Sequence, residues 1–285
     1  MDDIRAANLK LWNEWTLIHV DSAFYDVDGF LRGGLSLLPL EREELSDVAG
    51  KRLLHLQCHF GLDTLSLARL GAEVTGVDFS SEAMQAARRL AAEAGLNATF
   101  IESDIYELAD TAPPDWDGAF DIVFVTYGAL EWLSDLQPWA ALIARFLRPG
   151  GLFYLAELHP YAGSLELEPI APEQPAYRLV QTYSYFPTGE PQRFDVEGSY
   201  ADPDAHVEQE VCYGWPHPIA EVLTVLLEQG LRIESFREHP FSCSAYWPQM
   251  RKLDDGYHWL LDENGTPRTD VPFLYSLRAV KEAEA

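Results

Sequence analysis

Short apolar runs alternate with segments of helical periodicity between residues 51 and 160, and this alternation limits the fold most. The run at 52–56 leads through a loop into leucines at helical spacing, and the run at 73–78 leads into a helix capped by Ser80. Further strands are predicted at 98–102, 120–126 and 151–157, with a helix around 138–147. Alternation of this kind predicts a parallel sheet covered by helices on both faces.

The composition changes after His159, where prolines and glycines recur up to about residue 213. Two runs, 177–186 and 193–200, flank the sequence PTGEPQ, which predicts a hairpin turn within a β-rich insertion. A helix follows at 219–229, and two strands, 231–238 and 272–280, complete the fold.

The predicted fold class is α/β, a Rossmann-like doubly wound sheet of seven strands that is mostly parallel with an antiparallel last strand. A helical cap precedes the sheet and a β-rich lid insertion interrupts it. The expected segments are a cap at 1–50, a cofactor-binding core at 51–160, the lid at 161–213, and the C-terminal part of the core at 214–285.

Charge and cysteine content exclude several classes of protein. The 285 residues include 46 acidic and 20 basic side chains, a formal net charge of -26, which disfavours nucleic acid as a partner. Cys58, Cys212 and Cys243 are odd in number and far apart, unlike a disulfide framework. The acidic N-terminus and the lack of a long apolar run predict a cytoplasmic protein without a membrane partner. The sequence leaves open whether it forms a homo-oligomer.

Ligands of open α/β sheets bind at the carboxyl ends of the strands, near the switch in strand order. Gly61 follows the first strand and allows close backbone approach at a helix N-terminus. Asp78 ends the second strand, 17 residues after Gly61, where a carboxylate can accept both hydroxyls of a ribose. With Asp104 after the third strand and Tyr127 after the fourth, these residues outline a nucleoside-shaped slot.

These motifs stand in a familiar order: RLLHLQCHFGLDTLSLARLGAEVTGVDFSSEAM, FIESDIYEL, FDIVFVTYGALEWL and LRPGGLFYLAELHP. The set resembles the class I S-adenosylmethionine-dependent methyltransferases over about residues 51 to 160. The resemblance implies S-adenosylmethionine as cofactor, S-adenosylhomocysteine as product, and in-line methyl transfer to a small organic acceptor. The implied cofactor-binding residues are Tyr25, Gln57, His59, Gly61, Asp78, Phe79, Asp104, Ile105 and Tyr127.

The first motif departs from the usual family pattern. That pattern is close to DLGCGTG, whereas this chain reads HLQCHFG. His55 therefore stands where an acid usually orients the loop, and Gln57 and His59 stand where glycines usually admit the methionine part of the cofactor. The departure implies weakened or reorganised cofactor binding, and it leaves a noncatalytic, cofactor-binding regulatory protein as an alternative.

Residues near the end of the fifth strand are candidates for acid–base work. His159 and Glu157 lie where a substrate base is needed if the nucleophile must lose a proton. Aromatic residues of the cap and insertion predict a largely apolar substrate pocket, formed by Trp15, Tyr183, Tyr185, Trp215 and His217. A carboxylate or phosphate acceptor would need Arg178 or Arg193 at the lid.

Two further interpretations are less favoured. His55, Cys58 and His59 lack the further convergent ligands of a metal site, so no metal is predicted. A nicotinamide-dependent oxidoreductase would need GxGxxG, and QCHFGLD lacks two of its three glycines. The acceptor, the atom methylated and the use of a general base stay open, since acceptor pockets have no readable code.

Overall fold

The computed structural model describes residues 3–45, 47–170 and 177–282. Helices precede the first strand, and strands then alternate with helices. Up to residue 158 the elements are α1 Asp3–Asp21, α2 Val27–Leu31, α3 Pro39–Glu44, β1 Arg52–Leu56, α4 Leu62–Arg69, β2 Glu73–Asp78, α5 Ser81–Ala94, β3 Ala98–Glu102, α6 Ile105–Thr111, β4 Phe120–Thr126, α7 Leu136–Phe146 and β5 Leu147–Leu158. They continue with α8 Pro160–Gly163, β6 Leu165–Pro169, β7 Tyr177–Gln181, β8 Gln192–Asp195, β9 Val211–Gly214, α9 Ile219–Glu228, β10 Leu231–His239, β11 Arg251–Lys252, β12 His258–Trp259 and β13 Leu274–Lys281.

One sheet of seven strands forms the centre of the molecule, in the order β10, β13, β5, β4, β1, β2, β3. The strands β1 to β5 pair in parallel, and β13 is antiparallel to both of its neighbours. This confirms the predicted Rossmann-like sheet with an antiparallel last strand. The order reverses between β1 and β4, which places a ligand-binding crevice at their carboxyl ends.

Apolar side chains bury both faces of this sheet. On one face, Trp139 of α7 packs edge to face against Phe153 of β5, with ring centroids 5.5 Å apart. On the other face, α5 presents alanines and Met84 toward Phe60 and Phe100. Ser80 caps the start of α5 by accepting from the Ala83 amide, as its sequence position predicts.

The first helix crosses the carboxyl edge of the sheet and packs against α5 and β9. Ser80 donates a hydrogen bond of 2.7 Å to Oδ1 of Asn13. Asn8 hydrogen-bonds to both backbone groups of Tyr213, at 2.8 and 2.9 Å. These polar contacts hold α1 between the second strand end and the β-rich insertion.

The predicted hairpin around PTGEPQ is wrong. Strand β7 pairs with β6, which precedes it, and β8 pairs with β9 further along the chain. Pairing with β6 and β9 gives each strand a neighbour with matching length, whereas the loop 182–191 only connects the two ribbons. Residues 171–176 of the insertion lie outside the described residues.

A second irregular segment, 240–273, separates β10 from β13 and was not foreseen from the sequence. It contains the short ribbon β11–β12 and packs Tyr246 and Trp247 toward Phe273. In the part of the chain that the structure describes, no helix is long and apolar enough to cross a membrane.

Candidate functional site

The loop after β1 keeps a glycine-like backbone although two of its glycines are replaced. Gln57, His59 and Gly61 all have positive φ, at 57°, 51° and 76°. Of these three positions, Gly61 has no room for a side chain, since a Cβ there would lie 2.6 Å from the Phe100 ring. Left-handed backbone at non-glycine residues is uncommon and concentrates at functional sites. The variant sequence therefore retains a tight turn facing the crevice.

The side chain of His59 joins this loop to α1. Its Nε2 lies 2.9 Å from Nδ1 of His19, whose Nε2 lies 2.6 Å from the hydroxyl of Ser199. Burial lowers the pKa of His19 to about 3 and that of His59 well below its usual value, so both rings are neutral. The chain of contacts ties the loop, the cap helix and the insertion together.

Asp78 accepts hydrogen bonds from the backbone at the end of β2. Its Oδ2 accepts from the His59 amide at 2.8 Å, and its Oδ1 accepts from the Ser80 amide at 2.9 Å. Burial raises its pKa to about 6, and these backbone donors oppose the rise. A carboxylate has about four acceptor sites, so capacity for further donors such as ribose hydroxyls is left.

Asp104 lies after β3 and caps α6 by accepting from the Tyr106 amide at 2.8 Å. Its other oxygen forms an ion pair with Arg5 of α1, which also lies over the Tyr106 ring. Phe79, directly after β2, is half-buried, and Ile105, the first residue of α6, is buried in the core. The Asp104 side of the predicted slot thus lies next to the N-terminal turn of α1.

Tyr25 packs edge to face against Phe60 of the loop, with ring centroids 4.8 Å apart. Its hydroxyl lies 2.5 Å from that of Tyr200, one of the aromatic residues of the insertion. The structure therefore brings Tyr25, Tyr200 and His19 beside the loop residues, and the cofactor-binding role of Tyr25 stays a prediction.

Two buried polar atoms of the loop, Oε1 of Gln57 and Nδ1 of His59, have no hydrogen-bond partner among the described residues. Beside the loop, the Tyr127 hydroxyl faces the buried carboxyl of Glu41. Tyr127 has a positive φ of 44°, and the charge of nearby Glu41 helps burial to raise its pKa. Buried polar groups are normally paired, so the two unpaired atoms of the loop indicate a ligand with donors and acceptors of its own.

A cavity of about 130 Å³ lies beyond the ends of β4 and β5. We call it the strand-end cavity. It is lined by Gly128, Leu130, Glu131, Glu157, Leu158, His159, Pro160, Gly163, Ser184, Gln192, Phe194, Gly214, Trp215, Pro216, His217, Tyr246 and Tyr275.

A neighbouring cavity of about 390 Å³ shares part of this wall. Both cavities are lined by Gly163, Phe194 and Tyr246, and the second also by Tyr183 and Glu166. Two of the predicted pocket residues, Trp215 and His217, thus line the strand-end cavity, and Tyr183 lines its neighbour.

The other two predicted pocket residues lie elsewhere. Trp15 packs against Trp12 and donates from Nε1 to the Gly198 carbonyl at 2.9 Å, away from both cavities. Tyr185 accepts from the Ile219 amide at 3.2 Å and so supports the start of α9.

Glu157 holds the chain after β4 in place. Its two carboxyl oxygens accept hydrogen bonds from four backbone amides, of Gly128, Ala129, Leu130 and Leu158. Burial raises its pKa, and these amides oppose the rise. The carboxylate is committed to the backbone, which suits a positioning residue; its predicted catalytic role stays a prediction.

The two cavity histidines also have both ring nitrogens engaged. Nδ1 of His159 accepts from the Tyr161 amide at 3.1 Å, which directs its Nε2 proton to Glu238 at 2.9 Å. His217 donates from Nε2 to the Leu133 carbonyl at 2.7 Å and faces Glu221 with Nδ1. Burial lowers the pKa of His159. Neither ring offers a free lone pair to the cavity, so the role of His159 as base also stays a prediction.

Glu131 is the ionisable side chain of the cavity that sequence reasoning missed. Its carboxyl has no hydrogen-bond partner among the described residues and is accessible from the cavity. The desolvating surroundings raise its pKa to about 7, and the charge of Glu157 contributes. The sequence feature that could have identified Glu131 is its position four residues after Tyr127, in the loop that follows β4.

His55 and Cys58 have structural contacts. Nδ1 of His55 lies 2.8 Å from the hydroxyl of Thr64, and burial lowers its pKa to about 3. The thiol of Cys58 packs beneath Gly76. Among the described residues no group of three His, Cys, Asp or Glu side chains is arranged to hold a metal.

Comparison with known proteins gives consistent matches. Residues 53–151 match the family model described as "Methyltransferase domain". The chain is 30% identical over 144 residues to a ubiquinone biosynthesis O-methyltransferase of Erwinia tasmaniensis, covering 49% of this chain and 57% of that protein. It is 31% identical over 156 residues to the protein of the same name from Xanthomonas euvesicatoria, covering 53% and 62%.

A solved S-adenosylmethionine-dependent methyltransferase of Mesorhizobium loti has the same fold. Its TM-score is 0.56 at 21% identity, over 88% of this chain and 99% of that one. The chain spans less than two thirds of the length of the curated relatives that it matches.

Proposed function

We propose that the chain is a member of the methyltransferase domain family, whose model matches residues 53–151, and that it transfers a methyl group from S-adenosylmethionine to a small organic acceptor. The observation that carries this proposal is the loop after β1, where Gln57 and His59 adopt the positive φ that glycines usually supply. Since the loop keeps its backbone course, the altered first motif does not argue against a cofactor site.

The residues around the loop suit the cofactor. Its methionine part carries an ammonium group and a carboxylate. Oε1 of Gln57 is an unpaired acceptor that is available to an ammonium group. Asp78 retains acceptor sites for two ribose hydroxyls, and Asp104 lies where the adenine would be bound.

When bound, S-adenosylmethionine supplies an electrophilic sulfonium methyl group. The chain's own contribution is to position the acceptor, which provides much of the rate acceleration in a displacement reaction. Glu157 fixes the course of residues 128–130 through its backbone hydrogen bonds, and these residues form the boundary between the loop and the strand-end cavity. The aromatic walls of that cavity exclude water from the acceptor.

The acceptor is proposed to be a small molecule bound in the strand-end cavity, with residues 161–213 as its lid. Ser184, Gln192 and Phe194 of this segment line the cavity, which supports the lid assignment. The two curated relatives are named as O-methyltransferases of ubiquinone biosynthesis. Their acceptor is not carried over, because the matched region ends at residue 151, before most of the residues that line the cavity.

Isothermal titration of the full chain with S-adenosylmethionine and S-adenosylhomocysteine tests the proposal, with NADH and NADPH as controls. We expect saturable binding of the two sulfur compounds alone. Binding of a nicotinamide cofactor instead would favour the oxidoreductase alternative, which the family match already disfavours. Absence of any binding would contradict the proposed function.

Cofactor binding without turnover is the remaining alternative. A screen of amine, phenol, thiol and carboxylate acceptors for methyl incorporation separates this case from a methyltransferase. Methylation of none of these classes by a chain that binds the cofactor would favour a regulatory protein.

A further inference from the structure

The charged groups of the strand-end cavity all have the same sign. The cavity is lined by two carboxyl side chains, Glu131 and Glu157, and its neighbour by a third, Glu166. Among the described residues that line either cavity, none is Lys or Arg. A wall of this kind attracts a cation and repels an anion.

The two arginines that an anionic acceptor would need are engaged elsewhere. Arg178 pairs with Glu168 at 2.9 Å, and Arg193 pairs with Asp195 at 2.7 Å. Both side chains are more than half exposed and neither lines a cavity. The alternative of a carboxylate or phosphate acceptor therefore has no counter-charge among the described residues around the cavities.

Aromatic rings form much of the remaining wall. Phe194, Trp215, Tyr246 and Tyr275 line the strand-end cavity. Burial raises the pKa values of Tyr246 and Tyr275, so both hydroxyls stay neutral. Aromatic faces attract ammonium groups, particularly where water is excluded. Rings and carboxylates thus favour the same class of ligand.

The two carboxyl side chains of the strand-end cavity differ in whether they are free to bind a ligand. Glu157 is saturated by four backbone amides, whereas Glu131 has no partner among the described residues and reaches the cavity. Glu131 is exposed, so its carboxyl is open to solvent, and an ammonium ligand would replace water there. In size, the cavity of about 130 Å³ is comparable to an apolar cavity of roughly 150 Å³ known to bind benzene.

We propose that the methyl acceptor is a small amine, bound in the strand-end cavity as its ammonium form by the carboxylate of Glu131 and the aromatic wall. This inference rests on the proposed methyltransferase function and names its substrate class. Glu131 acts as a catalytic residue in it, because it contacts the reacting nitrogen.

The ammonium group gives one proton to the Glu131 carboxylate, which leaves a neutral amine with a lone pair. The amine nitrogen then forms a bond to the sulfonium methyl carbon while the carbon–sulfur bond breaks and its electron pair returns to sulfur. The products are an N-methylated ammonium and a neutral thioether, and the proton on Glu131 passes to solvent. A carboxylic acid with a pKa of about 7 is suited to this exchange near neutral pH.

Three matched probes test the proposal without knowledge of the natural acceptor: benzylamine, benzyl alcohol and benzoate. They share one ring and differ in charge. Each is titrated into the full chain at pH 8, where Glu131 is mostly ionised and an aliphatic amine is still protonated. We expect benzylamine to bind at least about tenfold more tightly than the other two, as a charge-assisted contact predicts.

Variants at Glu131 test whether this side chain causes the preference for benzylamine. Glu131→Gln keeps the size of the side chain and removes its charge, so the preference for benzylamine should fall to less than about threefold. Glu93→Gln, an exposed residue of α5, is the matched control and should retain it. Glu131→Asp keeps the charge and should retain part of the preference, so it serves as a second variant if Glu131→Gln does not fold.

Equal or tighter binding of benzoate or benzyl alcohol would overturn the inference, as would an unchanged preference in Glu131→Gln or no binding of benzylamine up to about 10 mM. The proposed function is read separately by titrating S-adenosylhomocysteine into the same preparations. If that compound fails to bind while benzylamine binds through Glu131, the methyltransferase function fails and the cation site stands. If it binds and benzylamine does not, only the acceptor class is wrong.

Discussion

The backbone amide of His59 donates a hydrogen bond of 2.8 Å to Oδ2 of Asp78, which joins the loop after β1 to the end of β2. The other carboxyl oxygen binds the Ser80 amide at the start of α5. Asp78 therefore has two functions in this interpretation: it holds the two strand-end turns together, and it offers its remaining acceptor sites to a ribose. A substitution at Asp78 separates the two functions only if stability and cofactor affinity are both measured.

Asp78→Asn is expected to weaken S-adenosylhomocysteine binding at least about tenfold, because the amide loses one acceptor and the negative charge. Stability should fall by about 1–2 kcal/mol, since one backbone amide loses its acceptor. Isothermal titration and thermal unfolding measure the two effects. Asp110→Asn, exposed on α6, is the control and should change neither. A folded Asp78→Asn with undiminished affinity would remove Asp78 from the site.

The left-handed backbone at Gln57 predicts an inverted order of stability between two small substitutions. Gln57→Gly and Gln57→Ala both lose the hydrogen bond from Nε2 to the Ala129 carbonyl. Only alanine keeps the penalty of a Cβ at φ 57°, so Gln57→Gly should be more stable by about 1 kcal/mol.

The control for this prediction lies in regular helix. At Gln85, an exposed position of α5, glycine should be less stable than alanine by about 1 kcal/mol. Chemical denaturation of the four variants gives both comparisons. If Gln57→Ala equals or exceeds Gln57→Gly in stability, the loop does not adopt this backbone in solution.

The sequence predicted the first four sheet strands with the residues that the structure has, because buried parallel strands form continuous apolar runs between turn residues. The strand-end positions of Gly61, Asp78, Asp104 and Tyr127 followed from that pattern. Strand β5 begins at Leu147, before the predicted 151, since paired backbone continues through the LRPGG segment. The hydrophobic periodicity of the sequence does not reveal such an extension.

Other parts of the site depend on contacts between distant segments, which no local pattern encodes. His19 meets Ser199 across 180 positions, and Tyr25 meets Tyr200 across 175. The strand pairing of the insertion was predicted wrongly for the same reason, since turn residues mark a reversal without naming the partner strand. Glu131 was not predicted as a site residue, because only the cavity around it, which distant segments form, indicates a role for it.

Arg5 of α1 competes for a residue of the proposed cofactor site. It forms an ion pair with Asp104, whose side chain is only 11% exposed. Arg5→Ala should therefore raise the affinity for S-adenosylhomocysteine about two- to fivefold, the range of a single partly exposed ion pair. Lys10→Ala, which removes a cation of the same helix that pairs with Glu14, should leave the affinity unchanged. Titration calorimetry compares them, and weaker binding by Arg5→Ala would mean that the guanidinium contacts the cofactor itself.

Glu41 is fully buried on α3, where the Tyr127 hydroxyl faces its carboxyl. Burial, assisted by the charge of Asp63, raises its pKa to about 8, from about 4.5 in the unfolded chain. The folded state therefore holds a proton there that the unfolded state releases, so stability from this group falls as pH rises from about 4.5 to 8 and then levels off.

Glu41→Gln mimics the protonated form and should be more stable than the parent at pH 8.5 by about 1–3 kcal/mol, with little difference at pH 5. Thermal or urea unfolding across this range, with exposed Glu43→Gln as the control, measures the difference. A pH-independent difference between parent and Glu41→Gln would show that the carboxyl is ionised, or partnered, throughout.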